Sequence, residues 1–255
     1  MKRIFGHVVS LLVVGLAVSS VLPACATNDQ SIFIKNALAP SLTRTNGICS
    51  YTGDPTQPAL FQAQLDVGLA DEYFAVLLVG SQLTPRADPQ ANRAESNRIH
   101  INGAIVRVTE TDGTLIREFT SLATGFADPG NNAQASFGAI GVTGIDAPTK
   151  AILVPTLPNR QASRTILMNF KAFGTTLGGQ DVESGEYQLP ARVCNGCLVD
   201  FTDANDDTAP MQPNCLKKTT TAGGTGMRPC VQGQDELVQC SSCVGTRKVC
   251  DPLTL

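Results

Sequence analysis

Two Cys-x-x-Cys motifs contain the residues of this chain that are best suited to chemistry. They are formed by Cys194 with Cys197 and by Cys240 with Cys243. Four thiolates in two such pairs can hold a zinc ion, whereas an oxidising compartment joins the same thiols in disulfides. A thioredoxin-like redox role needs the motif at the start of a helix in a βαβ unit, and neither motif has that context. The spacing therefore predicts either zinc or structural disulfides, and the compartment decides between them.

The N-terminal segment predicts export. Lys2 and Arg3 precede an apolar run from Val8 to Val18, which is too short to span a bilayer. The run leads into Leu22-Pro23-Ala24-Cys25, and the whole segment resembles a bacterial lipoprotein signal. Residues 1–24 are therefore predicted to be a signal peptide.

The same resemblance implies a lipid anchor on Cys25. The sulfur would carry diacylglycerol, and the new amino group an acyl chain such as palmitate. Several acyl chains hold a protein at a membrane far better than one does. The residue after the cysteine is Ala26 rather than Asp, which implies the outer membrane. We therefore expect an envelope protein whose body faces the periplasm or the cell surface.

The remaining cysteines predict a disulfide-held C-terminal region. Eight of the nine cysteines lie beyond Cys25, and an even number in an exported chain indicates four disulfides. These disulfide candidates are Cys49, Cys194, Cys197, Cys215, Cys230, Cys240, Cys243 and Cys250. Because all but Cys49 lie beyond residue 193, residues 194–255 are predicted to be a Cys-rich, loop-dominated tail. We expect Cys49 to pair with a tail cysteine near Cys194 or Cys197.

An acidic stretch in this tail is a candidate calcium site. Asp203, Asn205 and Asp207 place oxygen ligands at alternate positions, as a hard cation requires. The sixth position is Thr208 rather than Gly and the twelfth is Asn214 rather than Glu, so the stretch is not an EF-hand. A looser calcium site and a solvated acidic turn both remain open.

The inventory of catalytic groups is poor. His7 leaves with the signal, so His100 is the one imidazole of the mature chain. No Gly-x-Ser-x-Gly elbow or Walker-type phosphate loop is present. The adjacent carboxylates of Asp235 and Glu236 would point to opposite faces of a strand. We therefore expect no enzyme, and the absence of Trp argues against a lectin.

Charge excludes nucleic acid as an expected partner. The chain has 19 basic and 22 acidic residues, and the loss of Lys2 and Arg3 with the signal shifts the net charge from −3 to −5. Phosphate binding needs clustered Lys and Arg, which this sequence lacks outside two short pairs in the tail. The expected partners are the membrane, through the lipid anchor, and an envelope or surface protein.

Hydrophobic alternation predicts an all-β, immunoglobulin-like sandwich over residues 47–193, after a tether over 25–46. Residues 61–69 and 73–80 are predicted to form a hairpin. A clearer hairpin joins residues 99–108, with a bulge at Gly103, to residues 114–120 through Asp112-Gly113. Further strands are predicted over 136–143, 150–156, 165–173 and 184–192. Residues 84–97 and 125–134 are predicted to be surface loops.

Three stretches resemble the Cys-rich outer-membrane lipoproteins of bacteria. They are Tyr73-x-Ala75-Val76-Leu77-Leu78-Val79, Gln188-Leu189-Pro190-x-Arg192-Val193-Cys194-Asn195-Gly196-Cys197-Leu198-Val199, and Cys230-x-x-Gly233-Gln234-Asp235-Glu236 with Cys240-x-x-Cys243. The resemblance implies a lipid anchor, a sandwich and a cysteine-rich C-terminal segment, and it implies no activity. We therefore expect a lipid-anchored envelope protein with a non-catalytic structural or protein-binding role and no cofactor. The alternative is a metal-holding protein that uses the Asp203 to Asp207 loop for calcium or the two Cys-x-x-Cys motifs for zinc.

Overall fold

The computed structural model describes residues 31–40, 44–45, 48–88, 90, 94–131, 134–160, 162–201, 215 and 229–251. Within them the chain forms fourteen strands and one α-helix. The strands are β1 (Ile32–Leu38), β2 (Arg44–Thr45), β3 (Ile48–Cys49), β4 (Ala59–Leu60), β5 (Ala63–Asp66), β6 (Tyr73–Ser81), β7 (Ile99–Glu110), β8 (Leu115–Ala127), β9 (Ser136–Ile145), β10 (Ser163–Thr176), β11 (Asp181–Glu183), β12 (Tyr187–Cys194), β13 (Val199–Asp200) and β14 (Val238–Gln239). The helix α1 spans Ala147–Leu153.

Two sheets build the main body. The first has the order β4-β1-β6-β9, and the second has the order β5-β12-β10-β7-β8 with β11 beside β10. Neighbouring strands are antiparallel except β5 and β12, which are parallel. Strands β7, β8, β10 and β12 correspond to the C, C′, F and G strands of an immunoglobulin domain. The predicted all-β, immunoglobulin-like sandwich with a disulfide-rich tail is confirmed.

The sandwich core lies between the two sheets and follows from the period-two alternation of the strands. In β7 the buried hydrophobic side chains are Ile99, Ile101, Ala104, Val106 and Val108. Their alternation shifts by one residue at the predicted bulge, where the register with β8 is interrupted between Ile101 and Gly103. A Cβ at position 103 would lie 2.3 Å from the carbonyl oxygen of Ser121, so only glycine allows this close approach.

The predicted hairpin at Asp112-Gly113 is confirmed. β7 and β8 pair antiparallel on either side of it, and Gly113 has a φ of 90°, which favours glycine. β8 continues to Ala127, so the second predicted loop begins later than residue 125. The prediction that β6 is a central strand is also confirmed, because β6 lies between β1 and β9.

Three predicted elements are wrong. Residues 61–69 and 73–80 do not form a hairpin, because β5 joins the second sheet and β6 the first. The turn that changes sheets begins at Asp66, whose carbonyl accepts the amides of Leu69 and Ala70. Ile32–Leu38, placed in the tether, forms β1 instead, and its first residue is fully buried.

The third error is the strand predicted over residues 150–156. Helix α1 and a 3₁₀ turn at Val154–Thr156 occupy this segment. Asp146 is the N-cap, and its carboxylate accepts the backbone amide of Thr149 at 2.9 Å. Pro148 lies in the first turn, where its missing N–H costs nothing. This local capping signal outweighs the apolar alternation.

The tail has a small core of its own. β12, the last strand of the sandwich, ends at Cys194, and beyond it the described residues form loops, the short β13–β14 pair and 3₁₀ turns. Half of the buried residues in the tail cluster are cysteines; the cluster consists of Leu69, Leu198, Val199, Cys215, Val238, Cys240, Cys243 and Cys250.

Candidate functional site

A cavity lies where the tail meets the sandwich. It has a volume of about 390 Å³, and we call it the junction cavity. Its walls come from the end of β1, the start of β6 and the tail segment Cys230–Glu236, which we call the docking turn. The residues that line it include Leu38, Tyr51, Leu60, Tyr73, Phe74 and Asp235. Concave, mostly apolar sites with a few convergent polar groups are the usual form of ligand sites.

The sheet leaves room for this cavity because β1 ends early. The last register pair between β1 and β6 is Ala37 with Leu77, whereas β6 begins four residues before that pair, at Tyr73. The docking turn lies against this extension of β6. The carboxamide of Gln234 accepts the amide of Phe74 at 3.2 Å and donates to the carbonyl of Glu72 at 2.7 Å.

Asp235 attaches the docking turn to both sheets. One oxygen of its carboxylate accepts the backbone amide of Gln64 on β5 at 2.7 Å, and the other accepts the hydroxyl of Tyr73 on β6 at 2.9 Å. The backbone amide of Asp235 donates to the carbonyl of Gln64 at 3.1 Å. Its φ of 56° is in the left-handed region, which Asp tolerates better than most residues. The backbone is therefore held in an uncommon conformation that places the carboxyl against Tyr73.

The one charged group that lines the cavity among the described residues is the carboxyl of Asp235. Burial raises the pKa of Asp235 to about 6, and the hydrogen bonds from Gln64 and Tyr73 offset only part of that increase. Burial, followed by the charge of Asp235, raises the pKa of Tyr73 well above its ordinary value, so the phenol stays protonated. Among the described residues no Lys, Arg or His lines the cavity. Glu236, next in the chain, is bonded to Arg44 and accepts the amide of Cys230.

The Cys49–Cys230 disulfide closes one wall of the cavity. The prediction that Cys49 pairs near Cys194 or Cys197 is therefore wrong, although its partner is a tail cysteine. The docking turn brings Cys230 to β3 because Gln234 and Asp235 are bonded to the starts of β5 and β6. Cys194 instead lies against Leu65 and Asp66 at the far end of β5.

The first Cys-x-x-Cys motif forms a second polar cluster. Cys194 and Cys197 are joined in a disulfide, and their sulfurs lie within 4.8 Å of a carboxylate oxygen of Asp66. The buried carboxylate of Asp66 accepts the backbone amides of Gly68, Gly196 and Leu198. These hydrogen bonds pair the carboxylate with backbone amides on and next to the loop between the two cysteines. They account for a buried carboxylate here without a metal.

The second motif is also oxidised. Cys240 pairs with Cys215, and Cys243 pairs with Cys250. A four-thiolate zinc site would need the two motifs as free thiolates, so it requires the reduction of three disulfides. The candidate calcium ligands Asp203, Asn205 and Asp207, and the lipidation candidate Cys25, lie outside the described residues.

His100 lies on the outer face of the second sheet. Its ring forms a hydrogen bond of 3.1 Å with the hydroxyl of Thr124 and stacks on Phe126 at 4.9 Å between ring centroids. It does not line the junction cavity. The side chains that do, Tyr73 and Asp235 above all, were not predicted as a site. In the sequence, Asp235 is one of two adjacent carboxylates and part of a stretch that carries the resemblance, but its contact with Tyr73 spans 162 residues and no local pattern reveals it.

Comparisons with known proteins give no assignment. No protein-family model and no curated protein matches the chain. In the part of the chain that the structure describes, no helix is both long and apolar enough to cross a bilayer.

Proposed function

We propose that this chain is a lipid-anchored protein of the bacterial cell envelope, attached to the outer membrane through Cys25. Its folded body is a non-catalytic binding module, and the junction cavity is its binding site. The sequence supports the anchor through the lipoprotein-like signal at residues 1–25. The cavity supports binding because it combines apolar walls with the half-buried carboxyl of Asp235.

The observation that carries the proposal is the cysteine pairing. All eight cysteines beyond Cys25 are joined in four disulfides. Such bonds persist in exported proteins and are rare where glutathione and thioredoxin keep thiols reduced. Because cysteines make up half of the tail cluster, the tail depends on an oxidising compartment. The ninth cysteine then remains for the lipid.

The non-catalytic assignment rests on where the titratable groups lie. His100 lies on an open sheet face, hydrogen-bonded to Thr124, and Asp235 holds the docking turn through its hydrogen bonds with Gln64 and Tyr73. Catalysis needs a nucleophile or an acid–base pair converging on one concave site. The junction cavity offers the carboxyl of Asp235 and the phenol of Tyr73, whose pKa is raised so that it stays protonated, and this suits recognition.

Labelling with an alkyne analogue of palmitate in a bacterial host tests the anchor. We expect the wild-type chain to be labelled and to fractionate with membranes, and Cys25→Ser to lose the label. Thr27→Ser, which leaves the cysteine in place, is the matched control and should behave as wild type. A Cys25→Ser protein that still carries the label would contradict the proposal. Metal analysis of the same purified protein tests the metal-holding alternative.

A further inference from the structure

We propose that the junction cavity binds an ammonium group carried on a short apolar chain. This inference rests on the proposed binding function and names the ligand class. The shared chemistry has two sources, a free alkylamine and the lysine side chain of a partner protein. Three features of the cavity support it: the shape, the charge and the aromatic side chains.

The shape suits a small apolar stem. A volume of about 390 Å³ is at the low end of ligand cavities, which run from about 300 to about 1,000 Å³. Leu38 at the end of β1, Leu60 on β4 and Val76 on β6 supply aliphatic walls. An alkyl chain of a few carbons would leave water and pack against these side chains, and this burial of apolar surface favours binding.

The charge selects a cation. Asp235 lines the cavity, and no basic side chain among the described residues does. Each oxygen of its carboxylate accepts one hydrogen bond from the protein, from Gln64 or from Tyr73. A carboxylate oxygen has two lone pairs, so each retains capacity for a donor in the cavity. An ammonium group donates three hydrogen bonds and neutralises the charge, whereas a carboxylate ligand would be repelled.

The aromatic side chains favour the same ligand. Tyr51, Tyr73 and Phe74 line the cavity. The ring of Phe74 lies directly over Gly141 of the neighbouring strand, where a Cβ would come 2.1 Å from its Cζ atom. Phe74 is 47% exposed and faces the opposite side of β6 from the buried Tyr73 that precedes it, so the rings on the side of Asp235 are those of Tyr51 and Tyr73. Aromatic rings attract ammonium groups through the ring quadrupole, and a carboxylate beside them adds to the attraction.

NMR titration of the full-length, oxidised, ¹⁵N-labelled protein in detergent tests the ligand class. The probes are n-butylammonium, n-butanol and butyrate, which share a stem and differ in charge. The reporter is the Gln64 amide, which donates to Asp235. At pH 7.5 we expect n-butylammonium to bind at least about tenfold more tightly than n-butanol, and butyrate not to bind. The Asp235→Asn substitution should reduce n-butylammonium to the affinity of n-butanol. Asp181→Asn, at an exposed position of β11, is the control and should change neither affinity.

The pH dependence provides an independent measurement. The titratable groups facing Asp235 are Tyr73 on β6, with Tyr51 and Tyr187 around it, and Glu236 on the docking turn, which is paired with Arg44. Burial and the charge of Asp235 raise the pKa of Tyr73 well above its ordinary value, so the change should come from Asp235. Between pH 7.5 and pH 5 we expect the affinity for n-butylammonium to fall about tenfold, because the carboxylate becomes protonated. A pH-independent affinity would overturn the assignment to Asp235.

The outcomes separate the two proposals. Equal binding of all three probes would leave the binding module standing and overturn the ammonium ligand. No binding by any probe would overturn the cavity as a binding site. A blocked lysine, N-acetyl-lysine amide, distinguishes the sources. Its binding without that of n-butylammonium supports a partner's lysine, and the reverse result supports a free amine.

Discussion

The sandwich and the tail are stabilised by different interactions. The buried cluster of the sandwich is built from aliphatic and aromatic side chains of both sheets and contains no cysteine. The tail cluster is small, and half of its buried residues are disulfide-bonded cysteines. A short segment cannot bury enough apolar surface to offset its conformational entropy and needs covalent links. The sandwich therefore depends on packing, and the tail on oxidation.

The two regions meet through a few specific contacts. The Cys49–Cys230 disulfide, the carboxyl of Asp235 and the carboxamide of Gln234 attach the docking turn to the sandwich. At the other end of β5, Asp66 holds the loop between Cys194 and Cys197. The cavity exists because these attachments place the docking turn beside β6. The function that we propose thus depends on the tail, although the sandwich supplies most of the walls.

The largest expected effect comes from the sandwich core. Phe170 on β10 is fully buried, and its ring approaches Gly144 of the opposite sheet. Phe170→Ala should lower the free energy of unfolding by about 3–5 kcal/mol, because it removes a large core side chain and leaves a cavity. Denaturant unfolding measures this. Phe61→Ala is the control, because Phe61 is 86% exposed, and it should change stability by less than about 0.5 kcal/mol. Similar losses for both would contradict a core-dependent sandwich.

The next largest effect concerns the link between the regions. The double substitution Cys49→Ala with Cys230→Ala removes a disulfide that spans 181 residues of sequence. We expect a loss of about 2–4 kcal/mol and faster proteolysis of the tail, with the sandwich still folded. Cys243→Ala with Cys250→Ala, whose bond spans 7 residues, should cost less because it closes a much shorter loop. Limited proteolysis with mass analysis locates the cuts. Cuts within β6 or β10 would show that the sandwich does not stay folded without the Cys49–Cys230 disulfide.

The smallest of the three effects is a gain. Asp235 has a pKa raised by burial to about 6 from 3.8. The folded state therefore binds the proton more tightly than the unfolded state does. The carboxyl's contribution to the free energy of unfolding is fully present below about pH 4 and is lost as the pH rises through about 6. The free energy of unfolding therefore changes by at most about 3 kcal/mol over this range. We expect Asp235→Asn, which never ionises, to be more stable than wild type by up to this amount at pH 7.5.

A pH series of unfolding free energies checks that prediction. The wild-type protein should lose stability relative to Asp235→Asn between pH 4 and pH 7, and the two should converge at lower pH. The side-chain oxygen of Asn can accept the Gln64 amide, its NH2 group can donate to the Tyr73 hydroxyl, which then becomes the acceptor, and Asn tolerates a positive φ, so the substitution is expected to keep the docking turn in place. Parallel profiles for the two proteins would show that burial of Asp235 carries no cost.

Local signals predicted the strands better than their partners. The alternation of β7, its bulge at Gly103 and the turn at Asp112-Gly113 are all encoded within a few residues, and each is confirmed. The membership of β5 and β6 in different sheets depends on contacts far away in sequence, and so does the pairing of Cys49 with Cys230. Helix α1 shows a further failure, because a local cap at Asp146 competed with an apolar alternation that matched a strand.

The candidate site likewise combines residues that are visible in the sequence with long-range contacts that are not. Its residues were visible in the sequence, and Gln234 and Asp235 lie in a stretch that carries the lipoprotein resemblance. Their convergence on Tyr73 and Phe74 depends on the docking turn, which no short window of sequence describes. Burial of Asp235 is likewise a tertiary property, and the raised pKa follows from it.

The most direct test of an exported, lipid-anchored protein with four disulfides is the unreduced intact mass of the native protein from a membrane fraction. The sample is measured with and without a thiol-alkylating reagent. We predict a chain that begins at Cys25, carries the mass of its acyl chains and gains nothing on alkylation. A chain without lipid, or one whose cysteines are alkylated without prior reduction, would contradict the account.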